Sequence, residues 1–440
     1  MAEIKYKVSI MTLGCRVNQY ESDSFASSLS EYGISIVPFG EKCDASIVNT
    51  CTVTAESDRK SRQMIRRAAK NADRVIVTGC YAQISSDNAA EFDGVVYVSG
   101  NGNKSDIPQI VYKILSGIYK GEKIAVTPPV DPQTAKMTLK TPMRCRSYIK
   151  IEDGCNNRCS YCVISTARGP VRSKPSDDVI SEAKSLSALG CREVILTGIE
   201  TASYGLDFPV KKPYGYYLAD LISSFDQVDG IERVGIGSVD PTLFSDYFCA
   251  AASSSKKLLP HFHLSMQSGS SSVLAAMKRR YTADGALSAV EKIKKAIPDA
   301  TFSADIIVGF PGETEEDFEK TVDFCRKIEF LHLHIFPYSK RSGTYAAQMN
   351  FQIPENIKHE RLLRLEEDGK RIKRNILEKY VAAHSVSPVR VLIEKNNNGT
   401  ANGHSEHFAE VNIANCSLSP GTILSCPLSS TDGEICFATN

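Results

Sequence analysis

The run YIKIEDGCNNRCSYC, Tyr148 to Cys162, decides how this chain is read. Tyr148 to Ile151 reads as a short strand, and Cys155, Cys159 and Cys162 follow it in the spacing C-x3-C-x2-C. With 14 cysteines in 440 residues, chance would produce that spacing in roughly 1% of such chains. A loop directly after a strand is also where α/β folds carry their sites, at the carboxyl ends of the strands. Structural zinc is the first alternative, but zinc ligands usually come as two C-x2-C pairs or with histidine, and neither lies nearby. Three thiolates on one short loop can instead ligate three irons of a 4Fe-4S cube, leaving the fourth iron open to a small molecule.

Outward from this loop the pattern is α/β throughout. Downstream, Val194–Leu196, Val234–Gly237, His261–Met266, Ala304–Val308 and Leu331–Phe336 read as further strands alternating with helical stretches. Together with Tyr148–Ile151 they predict a partial (βα)6 barrel over residues 146–352. Upstream, Val8–Leu13, Ile47–Asn49, Val75–Thr78 and Val95–Val98 predict a parallel-sheet α/β domain over residues 1–126. Between them TPPVDPQTAKMTLKTP, with its prolines and no apolar period, reads as a linker over residues 127–145. Residues 353–384 give a connecting helix dense in Arg, Lys and Glu. In residues 385–440 the short runs Val389–Ile393, Phe408–Val411, Ile423–Cys426 and Ile435–Ala438 predict a small β-barrel.

Composition narrows the function classes. Hydrophobic residues make up 42% and charged residues 23%, as in ordinary globular proteins rather than disordered ones. The start MAEIKYKVSI has no apolar core of a signal peptide, and no later stretch is long enough to span a bilayer, so a cytoplasmic protein is expected. In a reducing compartment the cysteines serve metal or catalysis rather than a disulfide framework. Net charge is +1, so any RNA contact must come from local basic runs. Three are present: Arg59 to Lys70, Lys278 to Arg280, and Arg361 to Arg374 on the connecting helix, where Arg371 and Arg374 are candidate RNA contacts.

Three further cysteines, Cys15, Cys51 and Cys80, lie in TLGCRVNQYES, VNTCTVTAESDRKSR and VTGCYAQ, each just past a predicted strand. Loops at the carboxyl edge of a parallel sheet converge, so these distant residues can meet at one metal site. Cys43, Cys191, Cys249 and Cys325 lack that placement and are expected to be buried thiols.

The C-x3-C-x2-C loop, with Tyr161 before its last cysteine, resembles the radical S-adenosylmethionine superfamily. Adding Cys15, Cys51 and Cys80, the runs CSYCVISTARGPVRSKP, LTGIETASYG, HFHLSMQSGSSSVLAAMKRRYT, ADIIVGFPGETEEDF and HIFPYSKRSGTYAA resemble the methylthiotransferase family of that superfamily. TLGCRVNQYES and ARGPVRS look most like the branch acting on N6-threonylcarbamoyladenosine beside the tRNA anticodon. Two departures stand out: Ile164, Ser165 and Thr166 replace a common Pro-Tyr pair, and Glu200 replaces an uncharged residue or histidine.

The resemblance implies S-adenosylmethionine as cofactor and two 4Fe-4S clusters. One is held by Cys155, Cys159 and Cys162 and cleaves S-adenosylmethionine to a radical; the other, on Cys15, Cys51 and Cys80, holds or supplies the inserted sulfur. The unactivated adenine C2-H bond explains the need for a radical, and the cofactor carries that chemistry. Tyr161 is expected against the adenine of the cofactor, while Gln267, Ser268 and Gly309 at the barrel mouth are further cofactor candidates. The tail resembles the TRAM domain of RNA-modifying enzymes, making Phe408 a candidate base-stacking residue. tRNA and an external one-electron donor such as a flavodoxin or ferredoxin are the implied partners. Two alternative substrates are isopentenyladenosine in tRNA and an aspartate of a ribosomal protein. A rival of a different class is an iron-sulfur tRNA-binding or redox-sensing protein without turnover, which cleavage of S-adenosylmethionine by the reduced protein would exclude.

Overall fold

The structure, a computed structural model, describes residues 5–130 and 137–439. The first sheet contains β1 (Tyr6–Thr12), β2 (Ile34–Val37), β3 (Ala45–Thr50), β4 (Val75–Gly79), β5 (Val95–Ser99) and β6 (Ile124–Ala125) in the order β2-β1-β3-β4-β5-β6. All its pairings are parallel. β3 (ASIVNT) is buried along its whole length, as a strand covered on both faces is, and its polar Ser46, Asn49 and Thr50 side chains are each hydrogen-bonded. The chain runs from β1 to β2 on one side and returns to β3 on the other. This switch point opens a crevice at the carboxyl ends of β1 and β3.

The central region contains β7 (Ser147–Lys150), β8 (Glu152–Asp153), β9 (Arg172–Ser173), β10 (Glu193–Thr197), β11 (Arg233–Ile236), β12 (His261–Gln267), β13 (Thr301–Val308) and β14 (His332–Pro337). Two parallel three-stranded sheets, β11-β10-β7 and β12-β13-β14, are bridged by Val234 with Leu258 and Val239 with Leu264. Six parallel strands thus curve into a barrel with no pairing between β7 and β14 among the described residues. The two-residue strands β8 and β9 form a small antiparallel ribbon that frames the cysteine loop.

The last sheet comprises β15 (Val389–Asn397), β16 (Thr400–Ser405), β17 (Glu410–Ala414), β18 (Ile423–Cys426), β19 (Leu428–Thr431) and β20 (Cys436–Thr439) in the order β18-β15-β16-β17-β20-β19. It is a curled sheet with its own apolar core around Val391, Ile393, Val411 and Ala438, which takes in Leu377 and Tyr380 of the long helix Glu355–His384. The expected strand Phe408–Val411 begins later, at Glu410: Phe408 has a left-handed backbone, φ 66°, in the turn that ends β16. β2, β6, β16 and β19 escaped the sequence reading because they are short or rich in Asn, Ser and Gly.

The expected linker lies partly in residues 131–136, outside the described residues. Its second part is no free tether: Met137 and Leu139 are buried in the core shared by the first sheet and the barrel. Lys174 Nζ donates to the Met137 carbonyl at 2.6 Å, and the Leu139 amide donates to Glu182 at 2.7 Å. Satisfying extended backbone by buried side chains removes the need for an apolar period.

Candidate active site with two cysteine triplets

Cys15, Cys51 and Cys80 follow β1, β3 and β4, which are neighbours in the sheet. Gly14 has φ +93°, and a Cβ there would lie 2.7 Å from Cys51 Sγ. A glycine at this point both makes the turn and lets the two cysteine loops touch. Asn18, the third residue after Cys15, ties the loops further by donating to the Leu13 carbonyl at 2.7 Å and the Thr50 carbonyl at 3.0 Å. The Cys15, Cys51 and Cys80 thiols are near enough to perturb one another electrostatically.

Cys155, Cys159 and Cys162 lie on the loop between β8 and the short helix Ile164–Arg168, all half-buried. Burial pushes the Cys155 thiol up to about 12 and those of Cys162 and Cys51 to about 11. Thiols so placed stay neutral at pH 7 unless a bound metal supplies positive charge. Among the described residues, no three His, Cys, Asp or Glu side chains are close enough to grip a single ion. A cubane does not ask for that, because each thiolate binds a separate iron. Each triplet also has a guanidinium at its edge. Arg168 Nε lies 3.3 Å from Cys80 Sγ, and Arg279 Nη1 lies 3.5 Å from Cys159 Sγ.

A buried ionic joint links the loops that carry the two triplets. Arg168, fully buried on the helix after Cys162, donates from Nη1 to Glu21 at 2.8 Å and to Asp153 at 3.1 Å, and from Nη2 to Asn18. Lys150 bonds the same two carboxylates at 3.2 and 3.1 Å, and Lys104 pairs with Glu21. Burial works against ionising Glu21, but Arg168, Lys104 and Lys150 outweigh it and hold the carboxyl down at about 2. With Arg172 3.6 Å from Asp153 as well, four buried cations share two carboxylates, and Arg168 turns part of the surplus positive charge toward Cys80. Buried charge requires a partner; an anionic thiolate-bound cluster is one. The same joint brings Cys162 within electrostatic reach of Cys80.

Other sequence candidates fare differently. Tyr161 packs with Val273, Met277, Phe310 and Tyr338 at the mouth, edge-on to Phe310 at 6.4 Å. Gln267 ends β12 with a left-handed φ of 70°, half-buried. Ser268 turns away, its hydroxyl 3.2 Å from Thr321 Oγ1 beneath the surface. Gly309 makes a turn whose N–H is taken by Glu313 at 2.6 Å, and Lys358 fills the space where a ligand would come close. Arg371 and Arg374 are exposed on the long helix, Arg371 paired with Asp368. Phe408 is not a free platform. Its ring stacks on His261, 4.7 Å between centroids, at the foot of the barrel, with His404 at 4.9 Å. Within the basic runs, Arg279 is buried against Asp240 and Arg361 against Glu313, so neither offers charge to RNA. Glu200 is buried, its carboxyl pushed up to about 7 by burial and by neighbouring Asp240. Sequence reasoning missed Asn18, Glu21, Lys104, Lys150, Asp153 and Arg168 as site residues. All but Lys104 lie within six positions of Cys15, Cys155 or Cys162, which is the one signal the sequence offered.

An open six-stranded parallel barrel with a three-cysteine loop after its first strand defines a radical S-adenosylmethionine enzyme. Residues 149–325 match the family model described as the radical SAM superfamily, and residues 7–100 match one described as uncharacterized protein family UPF0004. The chain is 40% identical over 368 residues to the threonylcarbamoyladenosine tRNA methylthiotransferase MtaB of Bacillus subtilis, covering 81% of this chain and 79% of that protein. It is 36% identical to the protein of the same name from Aquifex aeolicus, covering 85% and 90%. Against the tRNA-2-methylthio-N(6)-dimethylallyladenosine synthase of Carboxydothermus hydrogenoformans the identity is 36%, covering 83% of each. Among solved structures, the radical S-adenosylmethionine methyltransferase TsrM of Kitasatospora setae has the same fold, with TM-score 0.57 and 16% identity over 78% of this chain and 76% of that one. The chain belongs to the radical S-adenosylmethionine tRNA methylthiotransferase family, whose chemistry uses S-adenosylmethionine and 4Fe-4S clusters. No helix of the described residues is long and apolar enough to cross a membrane.

Proposed function

We propose that this enzyme converts N6-threonylcarbamoyladenosine at position 37 of tRNA to its 2-methylthio derivative, with Cys155, Cys159 and Cys162 holding the radical cluster and Cys15, Cys51 and Cys80 the second. Bound there, the clusters and S-adenosylmethionine supply the radical that removes the C2 hydrogen and the sulfur that replaces it. The chain's own part is placement. Asn18 and Gly14 hold the first triplet together, Arg168 clamps it against the loop of the second, and Tyr161 and Gln267 line the mouth where the cofactor lies. The observation that carries this reading is the buried joint of Arg168, Glu21, Asp153, Lys150 and Lys104, which ties the loop of one cysteine triplet to Cys80 of the other. Exposed Arg371 and Arg374 are proposed tRNA contacts, an external flavodoxin or ferredoxin the electron donor, and the cytoplasm the compartment in which tRNA is met.

Nucleoside mass spectrometry of tRNA from cells with and without the protein tests this. The 2-methylthio-N6-threonylcarbamoyladenosine signal should vanish on deletion and return with wild type, but not with Cys159→Ala or Cys51→Ala. An unchanged level would overturn the substrate assignment and direct attention to isopentenyladenosine and to ribosomal protein.

A further inference from the structure

Beside the second triplet lies a cavity of about 460 Å³, with Cys159 and Cys162 in its wall. Arg158, Lys278, Ser165, Thr166 and Tyr345 complete the features that matter, and no aliphatic side chain lines it. Arg158 and Lys278 have no acidic partner among the described residues, whereas neighbouring Arg279 is paired with Asp240 and nearby Arg341 with Asp58. Lys278 is held in place by a left-handed backbone, φ 60°, and by lying 4.5 Å over the centroid of the exposed Tyr345 ring.

Resting on the substrate proposed above, we infer that this cavity is the specificity pocket for the N6 substituent, with Arg158 and Lys278 receiving its carboxylate and Ser165 and Thr166 its polar carbamoyl and hydroxyl groups. The chemistry of adenine requires the substituent to be close by. C2 and C6 are both bonded to N1, so a group carried on N6 sits next to the reacting carbon and therefore next to the cysteine loop. A threonylcarbamoyl group ends in a carboxylate and carries donors and acceptors along its length. A dimethylallyl group is a bare hydrocarbon, and burying it against two unpaired cations would leave both desolvated with nothing in return. Overall identity of 40% to one class of relative and 36% to the other does little to separate these substrates; the polarity of this cavity does. It also gives a role to Ser165 and Thr166, whose departure from the common Pro-Tyr pair places two hydroxyls in the wall.

The test uses the holoenzyme with both clusters reconstituted and anticodon stem-loops bearing N6-threonylcarbamoyladenosine, isopentenyladenosine or plain adenosine at position 37. Wild type should bind the first more tightly than plain adenosine. Arg158→Gln and Lys278→Gln should each weaken that binding by about tenfold, the usual worth of a charge-assisted hydrogen bond, while binding to plain adenosine stays the same. Both side chains are exposed, so iron content and thermal unfolding should be unaltered, and Lys278→Arg should restore binding. Equal weakening on all three stem-loops would mean that the cations meet backbone phosphates, and would overturn the inference. So would variants that keep the wild-type preference but lose turnover with a flavodoxin as reductant and not with dithionite, which would make this an electron-donor surface. A wild type that prefers isopentenyladenosine would instead overturn the substrate proposal itself.

Discussion

Gly14 shows how much of the site rests on single positions. An alanine there would need a left-handed backbone and would drive its Cβ into Cys51 Sγ at 2.7 Å, so the loops after β1 and β3 must separate. Gly14→Ala should therefore lose one of two clusters, halving iron per chain and removing one of two cluster signals in electron paramagnetic resonance, while the signal lost in Cys159→Ala persists. Arg168 is the second such position. Removing its guanidinium takes one charge-assisted hydrogen bond from each of Glu21 and Asp153 in a fully buried setting, at a cost of about 1.5–3 kcal/mol for each bond. Arg168→Gln should lower the urea midpoint accordingly, and a variant as stable as wild type would show that the joint is wet. The cysteines themselves were legible in the sequence, because three follow strands and three share a tight spacing. Arg168 was not: ARGPVRS shows a basic run, and only the fold turns that arginine inward to meet Glu21 from a helix 147 residues away.

At the level of elements, the foot of the barrel and the curled sheet meet through histidines. His261 and His332 begin β12 and β14, while His404 and Phe408 come from the end of β16 and its turn. Burial is the main cause that lowers all three imidazoles: His332 and His404 to about 4, and His261 well below its usual range. His261 is further lowered by His332 and His263, and His404 by Arg146. Each is neutral in the folded protein and protonated more readily once unfolded. Their contribution to stability is therefore intact above about pH 6.5 and is lost as pH falls toward 4, since the unfolded state binds more protons across that window. Each imidazole held neutral costs about 1.4 kcal/mol per pH unit below its ordinary range. Hydrogen exchange in β15 to β18 should quicken between pH 6.5 and 5 before that in β3 and β4. His404→Gln should blunt this response. The strands on both sides of the seam were visible in their alternating sequence, but the seam was not, since nothing local tells that GHSEHF would dock on a barrel rather than on RNA. Phe408, expected as a base-stacking residue, packs on His261 in this seam.

For the whole molecule, the distribution of apolar contacts sets the units of unfolding. Val8, Ile47 and Ile76 of the first sheet, Phe25 and Leu29 of the helix Arg16–Glu31, and Ile149, Leu196 and Val234 of the barrel belong to one continuous core. Met137 and Leu139 seal it. The curled sheet has a separate core, attached through the long helix and the histidine seam. Sequence reading placed a boundary at the proline-rich stretch, where composition changes, and it treated the long helix as a connection. Shared packing follows tertiary contact rather than composition, so it joins the first two regions and leaves the third as the distinct unit. Contiguous cores unfold together and separate ones can open alone. Urea unfolding at pH 7.5 should thus show residues on β3 and on β10 losing exchange protection in a single transition, with the curled sheet opening at lower urea. At pH 5.5 that gap should widen, since the seam weakens while the buried joint of Arg168, Glu21 and Asp153 does not titrate in this range. If β3 opened separately from β10, the ionic joint and its surrounding core would not be holding the two cysteine triplets in register, and the arrangement on which the proposed reaction depends would need another support.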